Sequence, residues 1–226
     1  MPQIVYYVSA YCDLINSGEI YAGEKINVTV PTGNFGNIFA AFLAKQMGLP
    51  INRLVCASNR NNILTDFLET GTYDRNREFY TTMSPSMDIL ISSNLERLLY
   101  TLGGSELTSR LMKQLSTDGK YTIPADLKQA IDAHFTGLYC DEANTALEIK
   151  RTFCDDGYLV DTHTAVGLNC AKQYIERNHD GLKMLVASTA SPYKFASDVY
   201  KSITGSLPAD ELSALNELSE LTKTEI

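Results

Sequence analysis

Val28-Thr29-Val30-Pro31-Thr32-Gly33-Asn34-Phe35-Gly36-Asn37 runs from a β-rich segment through a tight Gly/Asn turn into the start of a helix. Two glycines let the backbone approach a ligand closely and adopt positive φ without a Cβ clash. The following helix offers unpaired N–H groups and the positive end of its dipole, which suits a phosphate. An ordinary strand-to-helix turn favours the same residues, so these ten leave both a phosphate cradle and a plain turn open. Upstream, Ile4, Val5, Val8, Tyr11, Cys12 and Ile15 recur at helical spacing, and Ser17-Gly18 ends that run. Downstream, a helix is predicted from about Asn37 to Met47. Its apolar residues nearly surround it, so it should be buried on most faces.

Arg53 to Ser58 reads as a second buried strand. The polar turn Asn59-Arg60-Asn61-Asn62 follows, then a short helix from Ile63 to Glu69. Strand, helix, strand, helix in that order predicts a parallel sheet with crossover helices. Lys183 to Ala187 is a third strand and ends in the hydroxyl-rich turn Ser188-Thr189. Tyr158 to Val160 reads as a further short strand. Helices are expected over Tyr193 to Ile203 and Pro208 to Leu221.

Ligands on such sheets sit at the C-terminal ends of the strands. The turns 31–37, 58–62 and 188–189 converge there, which points to a small-molecule site. Residues 79–93 form a hydroxyl-rich loop, with Asp88 either buried among apolar residues or capping a helix. Asn94 to Leu102 is a helix stopped by Gly103-Gly104. From Ser105 to Lys150 the pattern is helical throughout. The expected architecture is therefore one α/β domain over 1–226, with a parallel-sheet core, helices on both faces and a helical insertion or subdomain around 105–150.

Composition removes several function classes. A net charge of −8 with no basic run excludes a nucleic-acid backbone binder. No apolar run reaches the roughly 18–20 residues of a membrane span, and no basic-then-apolar leader opens the chain. Five cysteines, odd in number and without C-x-x-C spacing, fit a reduced, cytoplasmic setting. The isolated histidines predict no metal site. Asn37-Ile38 stands where a nucleotide P-loop needs Lys-Ser/Thr, and no leading G-x-G or G-x-S-x-G occurs. His163, at a helix start, is either a substrate contact or proton shuttle, or a capping or core histidine.

These segments together resemble threonine synthase, a pyridoxal-phosphate enzyme of the tryptophan-synthase-β fold type. The resemblance lies in Pro2 to Tyr7, Val30 to Asn37, Ala57 to Leu64, Ser84 to Ile89 with Ser92 to Arg97, Asp161 to Ala165, and Ser188 to Phe195. It covers this whole chain but about the C-terminal half of the family. It implies the fold type II large domain and conversion of O-phosphohomoserine and water into threonine and phosphate. It further implies that Gly33, Asn34, Phe35, Gly36 and Asn37 hold the cofactor phosphate and that Thr189 faces the pyridine nitrogen. A neutral group there leaves the ring less electron-withdrawing than a carboxylate would. Ser84, Asp88, His163 and Thr164 are implied on the substrate side. Ser191-Pro192 stands where the family has His-Pro. The family's Schiff-base lysine, in a segment like Ala-Phe-Lys-Asp, has no counterpart here. Lys25, Lys45, Lys172 and Lys194 sit in other contexts. The expectation is therefore a chain without its catalytic lysine, inactive alone, that partners a missing N-terminal half or associates with itself.

Overall fold

The structure is a computed structural model that describes residues 2–223. The chain opens with α1 (Ile4–Asn16), which turns Tyr7 and Tyr11 inward. Then come β1 (Ile26–Pro31), α2 (Gly36–Gln46), β2 (Ile51–Ser58) and α3 (Ile63–Thr70). Every residue of β1 is buried, as a central parallel strand requires. After the short β3 (Thr72–Asp74), residues 75–94 form a long loop with one 3-10 turn at Pro85–Met87. The second half runs α4 (Leu95–Asp118), β4 (Lys120–Thr122), α5 (Ala125–Asp132), β5 (Phe135–Tyr139), α6 (Glu142–Asp156), α7 (Thr162–Asn178), β6 (Lys183–Val186), α8 (Ala196–Thr204) and α9 (Glu211–Thr222).

The main sheet has the order β5-β2-β1-β6 and every pairing in it is parallel. Alternate residues separate its faces. Val28, Val30, Leu54 and Cys56 share a core with α2 and α3. Val55, Ala57 and Leu138 pack instead with Val166, Cys170 and Tyr174 of α7. Helices therefore cover both faces, and all four strand ends point the same way. A third apolar cluster, with Ile149, Ala165, Val199 and Leu218, ties α6 and α7 to the C-terminal helices.

Two local expectations are corrected and a third holds. The segment 105–150 is not helical throughout: it contains β4, which pairs with β3 in a separate antiparallel ribbon, and β5, an edge strand of the main sheet. The helix that opens α4 does break at Gly103-Gly104 as expected: Gly104, with φ 77° and ψ 175°, is non-helical, and a second helical stretch follows it to Asp118. Tyr158 to Val160 forms no strand; it is the connection that delivers Asp161 to the start of α7. Among the described residues no helix is long and apolar enough to cross a membrane.

Candidate functional site

A cleft of about 990 Å³ opens over the C-terminal ends of β1 and β6. Residues 31–37 form one wall and 185–190 another, with Ser86, Met87 and His163 between them and α1 contributing Tyr6 and Tyr7. Two of the three predicted turns thus meet. The third, 58–62, does not line the cleft; it anchors the loop 82–88 beside it.

The 33–37 turn is held from behind. Ser92 Oγ donates to the Gly33 carbonyl at 2.8 Å, and Asn94 donates to the Asn34 carbonyl from its backbone N–H at 3.1 Å and from Nδ2 at 2.8 Å. Because the peptide unit is planar and trans, clamping these carbonyls turns the N–H groups of Asn34 and Phe35 to the opposite side. Phe35 adopts a left-handed φ of 63°. That costly conformation is held by its ring, which is buried and lies 5.7 Å from the ring of Phe135. What Phe35 offers a ligand is backbone. No side chain caps the N-terminus of α2, so its first N–H groups remain available to an anion. Tyr7 donates to Asn37 Oδ1 at 2.7 Å; burial pushes the Tyr7 phenol up, so it stays protonated.

Loop 82–88 is pinned by a polar network. Asp88 Oδ1 accepts from Asn59 at 2.7 Å, Asn61 at 2.9 Å and the Thr82 hydroxyl at 2.7 Å, while its Oδ2 accepts from the Thr82 N–H at 2.9 Å. Asn59 Nδ2 also reaches Ser84 Oγ at 2.9 Å. Neither Ser84 nor Asp88 lines the cleft. Asp88 is surrounded by amides and hydroxyls rather than apolar groups, and it caps no α-helix.

His163 and Thr164 lie at the first turn of α7. Asp161 caps that helix, accepting from the N–H groups of His163 and Thr164 at 2.8 and 3.2 Å. It also accepts from the Thr164 hydroxyl. Its burial would raise its pKa, but the hydrogen bonds from His163 and Thr164 outweigh that and hold the carboxyl below its ordinary value. His163 is buried with Nδ1 at 3.3 Å from Asp161 Oδ1, and its Nε2 accepts from the Ser86 N–H at 3.2 Å. Both ring nitrogens are therefore engaged by the protein. Thr164 Oγ1 lies 3.2 Å from Ser188 Oγ. Thr189 is exposed and lines the cleft.

The cleft lining includes Arg97 and Lys194 and no Asp or Glu, in a chain of net charge −8. That segregation favours an anionic ligand. Sequence reading passed over Arg97, although its spacing of three from Asn94 puts both on one side of the first turn of α4. Of the four lysines considered, only Lys194 lines the cleft. Lys45 donates to the Asn52 carbonyl at 2.7 Å, and Lys172 pairs with Glu148 at 2.5 Å. The cysteines are unpaired. Burial pushes the Cys56 and Cys140 thiols up to about 12, so neither is a nucleophile. Among the described residues no group of His, Cys, Asp and Glu side chains could hold a metal ion.

A family model described as "Threonine synthase, C-terminal" matches residues 164–225. The chain is 42% identical over 207 residues to threonine synthase-like 1 of Pongo abelii, covering 90% of this chain and 27% of that protein. It is 34% identical over 244 residues to threonine synthase of Saccharomyces cerevisiae, covering 99% of this chain and 47% of that one. The crystal structure of PLP-bound threonine synthase from Brucella melitensis superposes with a TM-score of 0.83 and 39% identity, over 100% of this chain and 46% of that one. The chain thus spans between about a quarter and about half the length of these relatives.

Proposed function

As a chain that belongs to the threonine synthase family and carries its C-terminal domain, this protein has the fold type II architecture, and we propose that it supplies the phosphate-holding side of a pyridoxal 5'-phosphate site. The whole enzyme would convert O-phosphohomoserine and water into threonine and phosphate. The observation that carries this reading is the 33–37 turn: its carbonyls are clamped from behind and the helix it opens has no side-chain cap.

The residues present fit the cofactor. A Cβ on Gly33 would stand 2.6 Å from the Ser86 carbonyl oxygen, so the wall closes on bare backbone. No carboxylate lines the cleft to repel a phosphate. When bound, pyridoxal phosphate supplies an electron sink for carbanion chemistry on an amino-acid substrate. The backbone N–H groups of Gly33 to Asn37 hold its phosphate. The Thr189 hydroxyl serves the ring nitrogen without placing a charge there. Arg97 and Lys194 draw the doubly charged substrate into the cleft. Ser84 and Asp88 shape its wall through loop 82–88, and His163 and Thr164 orient its floor. The unpaired thiols fit a reducing compartment, which we assign to the cytoplasm.

A second reading is a non-catalytic phosphate- or pyridoxal-phosphate-binding or partner-binding half-domain, which a second polypeptide does not make active. It is favoured by Lys45 and Lys172 being held outside the cleft, by the Asn52 carbonyl and by Glu148. The chain alone should bind pyridoxal phosphate reversibly, release no phosphate from O-phosphohomoserine, and carry no cofactor-modified lysine after borohydride treatment. Adding the N-terminal half of a threonine synthase should restore phosphate release; its failure to do so would favour the module. Borohydride trapping on a single lysine, identified by peptide mass, would overturn the assignment of no catalytic lysine to this chain.

A further inference from the structure

Asp161 has two carboxylate oxygens, and each serves a different wall of the cleft. Oδ1 lies 3.3 Å from His163 Nδ1 and accepts from the His163 backbone N–H at 2.8 Å. Oδ2 accepts from the Thr164 hydroxyl. Thr162 Oγ1 also lies 3.4 Å from His163 Nδ1. A proton on His163 Nδ1, facing the carboxylate, leaves Nε2 as an acceptor, and Nε2 takes the Ser86 N–H at 3.2 Å. Ser86 is the residue whose carbonyl presses on Gly33. The Thr164 hydroxyl, which faces the Asp161 carboxylate, also points to Ser188 Oγ as acceptor at 3.2 Å. Ser188 precedes Thr189 on the opposite wall. Asp161 itself is buried and outside the cleft lining.

We propose that Asp161 is a positioning residue that sets both cleft walls at once: through His163 it seats Ser86 on the Gly33 turn, and through Thr164 it holds the Ser188-Thr189 turn. The identity of what the walls grip rests on the pyridoxal phosphate assignment above; the hydrogen-bonded branches do not. The arrangement makes the spacing between phosphate turn and ring-facing turn a property of one carboxylate on a rigid helix. Two loops that share no direct hydrogen bond are thereby held in register.

Hydrogen–deuterium exchange on the free chain, read on peptides spanning 82–90 and 185–195, tests this without any ligand. His163→Phe keeps a ring against Phe195, now 4.8 Å away, but removes the acceptor; it should speed exchange at Ser86 about tenfold, the loss expected for one hydrogen bond, and leave 185–195 unchanged. Thr164→Val should do the converse. Asp161→Ser retains a helix-capping hydroxyl but is too short for the onward bonds, and should speed both segments. Asp141→Ser, the same change at the cap of α6, should speed neither. The proposal is overturned if His163→Phe and Thr164→Val loosen the same segments, or if Asp161→Ser loosens the two walls no more than Asp141→Ser does. Should Asp161→Ser fail to fold, the two single-branch variants decide alone. Titrations with inorganic phosphate and with pyridoxal phosphate form a separate arm. His163→Phe should weaken both about tenfold, and Thr164→Val only the second. Wild-type chain that binds neither compound would remove the cofactor assignment while the exchange result stood by itself.

Discussion

Gly33 has no room for a side chain. A Cβ there would meet the Ser86 carbonyl oxygen at 2.6 Å and Met87 Cα at 3.1 Å, both backbone atoms that cannot swing aside. Gly33→Ala should therefore cost about 1–3 kcal/mol in urea unfolding and weaken phosphate binding by calorimetry; unchanged affinity would show that the turn does not grip the anion. At Glu142 burial comes first in raising the carboxyl pKa, with Asp88 and Asp198 adding to it. Its Oε1 is buried with no partner among the described residues, while Oε2 accepts from the Met83 N–H at 3.0 Å. A raised folded-state value means that the contribution is full below the unfolded value, about 4.3, and is lost as pH rises through the higher folded value. Glu142→Gln should thus stabilise the chain at pH 7 by up to about 1 kcal/mol, discounted for its partial exposure, with the gain vanishing near pH 4. Urea midpoints across that range check the sign. At this scale the glycines of 33–36 were legible because a bare backbone has few uses beside a strand end. The placement of Ser84 and Asp88 away from the cleft was not, because it depends on Asn59 and Asn61 arriving from the turn after β2.

Among the elements, β5 is the one that periodicity concealed. Phe135-Thr136-Gly137-Leu138-Tyr139 is five residues long and lies between two helices with clear amphipathic spacing, so the helical pattern reads across it. Gly137 marks where α3 crosses: a Cβ would stand 2.8 Å from Thr65 Cα and 3.1 Å from its carbonyl oxygen. Gly137→Ala should push α3 off the sheet edge at a cost of about 1–3 kcal/mol by thermal or urea unfolding; a neutral effect would mean the helix slides freely there. By contrast, β1 with α2 and β2 with α3 were readable in order, since buried parallel strands are continuous apolar runs and their helices begin at Gly/Asn turns. The kink at Gly104 was half legible. Glycine marks the break in φ; that a second helix follows directly on the same span was not read from it.

For the whole molecule, the exposed apolar surface of α1 stands out. Val5 and Tyr6 are each 64% exposed, and Tyr100 of α4 is 60% exposed. Tyr6 also borders the cleft, so a partner covering this face would close the site as it bound. The isolated chain should associate at micromolar concentration in light scattering, and Val5→Ser with Tyr6→Ser should reduce that association without lowering the thermal midpoint by more than a few degrees. A monodisperse wild-type monomer would argue against the face as an interface. By itself the sequence determined the parallel α/β class, the Gly/Asn turn at the end of β1 and the family resemblance, because strand runs, glycine turns and motif text are local properties of the chain. Tertiary structure alone decided that β5 completes the sheet, that 58–62 anchors a loop instead of lining the cleft, and that His163 meets Ser86 while Thr164 meets Ser188. Those outcomes depend on contacts between residues dozens of positions apart, whose geometry exists only once the sheet has brought its strand ends together.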